Sequence, residues 1–419
     1  MTVLYSNRLH EATGEYLKRA LLFILLALLP AAPASAVGND SIYVSLLTCS
    51  PGQRIYELYG HTGIRVKIPS RAFDVVYHYG VFSFNTPHFT YRFVKGETDY
   101  SIGTAPYYDF VSMYAVRGSS VRELSLNLTQ KEAWNLFGAL NINTLPSNSE
   151  YRYSFLYDNC ATRPRDMIAR NLDGQITYIG QSARPTFREM IHNSTYAYPW
   201  MTFGIDLVLG DEVDRKVDFV RTPFLPAVTE SIIANASVRE PDGTIRPLVL
   251  NEPVTVIEAQ NTQEPPKTPW ILMPLTVTTA LFIIVLALSV FEIIKNRHFR
   301  WLDTLLFTVY GTLGLLVFFL LIFSEHPAVS PNYNAFWLQP FWLVVAVLVW
   351  VKPADKFLYY YHFINFALIF GLLAELGIMA QQINAACIPL MLILMLRSVV
   401  YVAADLRKPL KPELRLTNE

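Results

Sequence analysis

Residues 154–166 read SFLYDNCATRPRD. One cysteine, Cys160, stands between an Asp-Asn pair and an arginine-rich run. The longer segment DNCATRPRDMIARNL reads as a helix beginning near Asp158 or Asn159, because Pro164 is tolerated only in a first turn. Cys160 then falls at the helix's N-terminal end, where the dipole and free N–H groups favour a thiolate and lower the thiol pKa. Arg163 and Arg165 would add positive charge. Such a thiolate is a nucleophile if a histidine base lies within reach and a third group orients that base. Three readings of the thiol stay open: nucleophile, half of a disulfide with Cys49, or small core residue.

Upstream, SIYVSLLTC (41–49) alternates as a strand, and ELYGHTGIRVKI (57–68) reads as a second strand entered through a Gly-flanked turn. FDVVYHYGVF (73–82) is a third. Its alternation sets Phe73, Val75, Tyr77 and Tyr79 on one face, and Asp74, Val76 and His78 on the other. Paired strands lie about 4.8 Å apart, so His61 on one and His78 on the next can line one site. The plainer alternatives are a core histidine for His61 and an ordinary strand residue for His78. Asn159, Tyr157 and Arg163 can supply oxyanion contacts, or serve as local cap and packing residues. DFVSMYAV and LTQKEAWNLFGALNINTL read as helices, the latter with Thr129 and Glu132 as a capping box.

Compartment limits what a thiol can do. A polar lead, then Lys18 and Arg19, then ALLFILLALL and PAAPASA make residues 1–36 a signal peptide, cleaved after Ala36. Hydrophobic residues are 52% and charged residues 16% of the chain, against roughly 25% charged in soluble domains. The excess lies beyond residue 268, in apolar runs 270–294, 302–323, 336–351, 357–379 and 384–404. Lys295, Arg297 and Arg300 follow the first run, Lys352 and Lys356 the third, and Arg407, Lys408, Lys411 and Arg415 the fifth. The loops after the second and fourth carry no Lys or Arg, which puts the N-terminal half outside and the C-terminus in the cytoplasm. The expected divisions are a periplasmic domain 37–235, a hairpin and Pro-rich tether 236–268, five transmembrane helices within 269–405 and a cytoplasmic tail 406–419. Glu325, His326, Asn332 and Asn334, in the outward loop SEHPAVSPNYNA, can position a headgroup or amine, or simply line an interface. Glu375 and Arg397 are expected to pair across spans four and five. The net charge is zero, so no nucleic-acid partner is expected, and no metal-ligand spacing is present.

GHTGIRV followed by DNCATR resembles the permuted papain-like fold of lecithin retinol acyltransferase and NlpC-type endopeptidases. The ordered pieces LLTCSPG, YGHTGIRV, DVVYHYGVF, KGETDY, RGSSVRE, LYDNCATRPRD and SEHPAVSPNYNAFW resemble a bacterial envelope family that includes a thiol-type lipoprotein N-acyltransferase. That resemblance implies an α+β permuted papain-like domain followed by an all-α bundle of five membrane helices, with no cofactor. It implies Cys160 as nucleophile, His61 as base and His78 as orienting group, where the family pattern has Asn. It also implies a phospholipid acyl donor and a diacylated lipoprotein acceptor at the inner membrane. Lys95, Asp99 and Tyr100 of KGETDY enter only through it. A thiol phospholipase or peptidase on the same fold, and a non-catalytic binding module, are the competing classes.

Overall fold

The alternation of β-branched and aromatic residues in the first strands gives each a buried face and a pairing edge. β1 (Tyr43–Cys49), β2 (His61–Ile68) and β3 (Phe73–Val81) form an antiparallel meander. α1 (Phe89–Lys95) leads into β4 (Asp99–Pro106), α2 (Tyr107–Arg117) into β5 (Val121–Ser125), and α3 (Gln130–Asn143) into β6 (Glu150–Arg152). Then come α4 (Thr162–Arg170), β7 (Gln175–Tyr178), α5 (Phe187–Thr195), α6 (Pro199–Val208) and α7 (Pro226–Ala234). β8 (Ala236–Arg239), β9 (Ile245–Pro247) and β10 (Val254–Ile257) close this part of the chain. The main sheet has the order β10-β5-β1-β2-β3-β4-β6, and β7-β8-β9 make a smaller one. This computed structural model describes residues 40–178, 185–218, 223–259 and 267–406. The expected signal peptide, the heart of the Pro-rich tether and the cytoplasmic tail past Leu406 lie outside those residues.

Ile64, Val66, Tyr77, Tyr79 and Ile102 bury one face of the sheet against Leu136 and Leu140 of α3 and Met167 and Ile168 of α4. Cutting back one such aliphatic side chain costs about 2–5 kcal/mol. Leu47, Cys49 and Val76 on the other face pack under Phe110, Val111 and Tyr114 of α2. The capping box of α3 is formed: Glu132 N–H donates to Thr129 Oγ1, and Thr129 N–H donates to Glu132 Oε2 at 2.8 Å. Segment 236–259 makes its hairpin, but it is woven into the domain, because β8 pairs with β7 and β10 with β5.

α8 (Pro274–Lys295), α9 (Arg300–Phe323), α11 (Asp355–Glu375) and α12 (Cys387–Leu406) follow, with α10 (Trp342–Leu348) between α9 and α11. Among the described residues four helices, built on α8, α9, α11 and α12, are long and apolar enough to cross a membrane. The expected third span, 336–351, is not a long helix. Pro340 cannot continue one, and only α10 is α-helical there. The segment nevertheless packs alongside α9, Leu343 against Gly311 and Gln339 against Gly314. Asn334 holds Asp206 and Leu207 carbonyls at one end, while Trp350 Nε1 donates to Thr304 Oγ1, at the start of α9, at 2.8 Å.

Arg397 does not pair with Glu375. It lies buried between Glu292 of α8 and Asp303 of α9, with Ser289 Oγ accepting at 2.9 Å. The reason is depth: Arg397 sits ten residues into α12, about 15 Å from the end near which α11 finishes at Glu375.

Candidate active site

Two glycines shape the region around Cys160. Gly60, at φ +78°, leads into β2; a side chain there would stand 2.6 Å from the Cys49 carbonyl oxygen. Gly80, at φ +90°, ends the regular pairing of β3. A Cβ on Gly80 would lie 3.5 Å from Cys160 Cβ and 4.0 Å from His61 Cε1. Both positions favour a residue without Cβ. The histidines lie on the α2 face of the sheet and α4 packs on the opposite face. Gly80 is the point where the Cys160 turn and the His61 ring come close, with no side chain of its own between them.

His61 is in register with Cys49 on β1, and Gly63 with His78 on β3. The two imidazoles meet edge to face with centroids 5.3 Å apart, and His61 Nε2 lies 3.2 Å from His78 Nδ1. Tyr114 stacks on His61, and Phe110 lies against His78. Burial lowers the His61 pKa to about 3, helped by His78 and Arg117. Burial lowers His78 to about 4. Both rings are neutral at pH 7, so one must donate and the other accept. With His61 Nε2–H donating, His61 Nδ1 carries the free lone pair and is the nitrogen left to take a proton from a thiol.

Cys160 lies in the turn before α4, two residues ahead of Thr162, the helix's first residue. Asn159 fixes that turn. Its Oδ1 accepts from the N–H groups of Ala161 and Thr162, and its Nδ2 donates to the carbonyls of Phe155 and Phe224. The sequence reading expected a lowered thiol pKa; the structure reverses it. Burial pushes Cys160 up to about 12, outweighing backbone N–H groups of Thr62 and of Cys160 itself that favour the thiolate. The arginines do not act on it as expected. Arg163 holds Asp158 at 2.5 and 2.7 Å and lies 3.4 Å over the Tyr151 ring, and Arg165 Nε holds Asp166 at 2.7 Å. Cys49 and Cys160 are both free thiols, so the disulfide alternative is not what the structure contains.

The remaining sequence candidates are committed elsewhere. Tyr157 donates to Glu212. Glu325 accepts from Arg152 at 2.5 Å, and His326 Nε2–H donates to the Phe93 carbonyl at 2.8 Å. Asn334 Nδ2 donates to the Asp206 carbonyl at 3.1 Å. These outward-loop residues bind the membrane helices to the N-terminal domain rather than surrounding Cys160. The sequence reading missed the centre of that joint. Asp206, buried, accepts from Arg188 (2.6 Å), His192 (2.8 Å) and Asn384 (2.7 Å). It also missed Gly80, although a glycine two residues past a candidate histidine was visible. A cavity of about 710 Å³ is lined by Cys49, Tyr59, Arg117, Met190, Tyr198 and Pro226.

Two family models match the chain. Residues 30–193 match the Lnb N-terminal periplasmic domain, and residues 266–409 match the Lnb transmembrane domain. No curated protein and no solved structure matches it. The protein is therefore a membrane protein with a periplasmic N-terminal domain of sheet and helices, followed by a helical membrane region.

Proposed function

Because this chain belongs to the Lnb family, we propose that it is an inner-membrane lipoprotein N-acyltransferase. It moves an acyl chain from a phospholipid, through a Cys160 thioester, to the α-amine of a lipoprotein's lipidated N-terminal cysteine. The observation that carries this reading is the neutral His61–His78 pair closing against Gly80 beside a free Cys160, on a domain tied to the ends of membrane helices. A permuted papain-like fold accounts for a histidine on an early strand and a cysteine just ahead of a later helix.

In the first half-reaction His61 Nδ1 takes the thiol proton as Sγ attacks the ester carbonyl. The carbonyl–oxygen bond to glycerol breaks, and the leaving lysophospholipid oxygen takes the proton back from His61. In the second, the α-amine attacks the thioester, loses its proton to His61, and the Cys160 thiol re-forms. Covalent catalysis divides one hard transfer into two easier ones. His78 acts as a positioning residue: its Nδ1 accepts from His61 Nε2–H and fixes the tautomer that leaves Nδ1 basic. Both substrates are membrane-embedded, so tethering the domain at the bilayer raises their effective concentration. The apolar cavity at Cys49 has the volume class of small-ligand sites and offers space for an acyl chain. We count segment 333–351 as a fifth crossing, irregular in its first half, which sends the C-terminus to the cytoplasm in keeping with the loop charges.

The test is mass spectrometry of lipoprotein N-termini in a host lacking its own N-acyltransferase. The intact protein should add one acyl mass and Cys160→Ala none. Addition by both would remove Cys160 from the mechanism. Addition by neither, with both proteins abundant, would turn the reading toward a hydrolase, checked by lysophospholipid release.

A further inference from the structure

The segment just beyond the histidine strand carries a run of aromatic side chains that the acyl-transfer reading leaves unused. Phe82 lies 5.1 Å from Tyr100, 4.9 Å from Phe84 and 5.8 Å from Phe89, centroid to centroid, and Phe89 stacks toward Phe93 at 6.0 Å. Tyr56 joins from the neighbouring loop, 5.9 Å from Phe84. The inner end of this strip is two residues from Gly80, where Cys160 and His61 converge. Its outer side is bare: Phe84 is 61% exposed, Tyr91 54% and Phe93 46%. Contiguous exposed apolar surface of this kind marks an interaction site rather than a solvated face.

The strip's position relative to the membrane helices identifies what covers it. Tyr91 packs on Phe319 of α9 with centroids 6.1 Å apart. Phe319 stands four residues before the end of that helix at Phe323, about 6 Å below it. The carbonyls at the end of α1 are fastened to the residues that follow α9. Ser324 Oγ donates to Val94, Glu325 N–H to Lys95 and His326 Nε2 to Phe93, at 3.0, 2.8 and 2.8 Å. Across the domain, Trp200 Nε1 donates to the Leu272 carbonyl at 2.8 Å, just before α8. Aromatic side chains level with the ends of spanning helices belong at the lipid headgroup boundary.

We propose that Tyr56, Phe84, Tyr91 and Phe93 form a lipid-contacting strip embedded in the outer leaflet. It holds the Gly80 end of the site at headgroup depth, where the ester of an outer-leaflet phospholipid lies. The proposal rests on the reading of α8, α9, α11 and α12 as spans, and it holds whatever the acyl acceptor is.

The test uses the full chain in phospholipid vesicles with Cys160→Ala, which leaves only buried native cysteines. A bimane label is placed in turn at Phe84→Cys, at Ile284→Cys on the exposed face of α8, and at Ser147→Cys on the exposed α3–β6 loop. Quenching by nitroxide-bearing lipids is compared with quenching by aqueous iodide. We expect position 84 to be quenched by lipid and shielded from iodide several-fold relative to position 147. If position 284 responds to lipid while 84 behaves like 147, the strip is not in the leaflet and the proposal falls while the spans stand. If neither 84 nor 284 responds to lipid, the span reading falls with it.

Discussion

The thiol of Cys160 offers the sharpest test of the site, because burial and catalytic competence pull in opposite directions. Its pKa of about 12 and the His61 value of about 3 are separated by about nine units. Burial thus disfavours both charged forms, the thiolate and the imidazolium, in the resting site. The resting dyad is thiol and imidazole, not thiolate and imidazolium, and the proton moves only as the carbonyl is attacked. Alkylation by iodoacetamide reads this directly. At pH 7 a free thiol of pKa about 8.5 is about 3% thiolate, while Cys160 would be about 0.001% thiolate, a deficit of roughly three thousandfold. A more basic thiolate is the better nucleophile, which returns about thirtyfold. Cys160 in the folded chain should therefore react about a hundredfold more slowly than in the denatured chain, and more slowly still because it is half-buried. Between pH 6 and 10 its rate should climb about tenfold per unit without levelling. Mass spectrometry of the Cys160 peptide makes the measurement, with buried Cys49 and Cys387 as internal references. A plateau with a midpoint at or below pH 7 would mean a resting ion pair and would refute the reasoning.

Other consequences can be checked in parallel. Replacing His78 by Ala should slow N-acylation about a hundredfold, while His78→Asn, which keeps an acceptor for His61, should retain most activity; equal loss in both would assign His78 to packing. The two histidines have folded pKa values below their unfolded 6.5, so between about pH 6.5 and 3 the unfolded chain binds protons that the folded chain does not, and stability should decline on acidification through that window, with a shallower slope in His78→Asn. Asp206→Ala strips the partner from His192 and Asn384 and one of two carboxylates from Arg188; it should destabilise the solubilised chain by roughly 3 kcal/mol, and an unchanged melting temperature would show that the joint is not structural. Arg397→Leu leaves Glu292 and Asp303 buried without their cation and should cost about 3–5 kcal/mol, read as a lower Tm or lower yield of folded protein.

The sequence alone determined the features that follow from local pattern. Period-two alternation set the faces of β3, with His78 opposite Tyr77 and Tyr79, because a strand's side chains alternate whatever surrounds them. Thr129 and Glu132 announced the start of α3, because a capping box closes within four residues. Long apolar runs announced four of the membrane helices, since a bilayer demands length and apolarity that few other environments do. Tertiary structure decided everything that depends on which segments meet. That the span-three region is broken at Pro340 yet runs alongside α9 depends on packing between helices. That Arg397 answers Glu292 and Asp303 depends on helix depth and order, which pairing by sequence does not encode. The thiol's pKa turned on burial rather than on a helix end or nearby arginines, because Asp158 and Asp166 had already taken those charges. That Cys160 and His61 both come up against the bare backbone of Gly80 appears only when β3 and the turn before α4 are brought together.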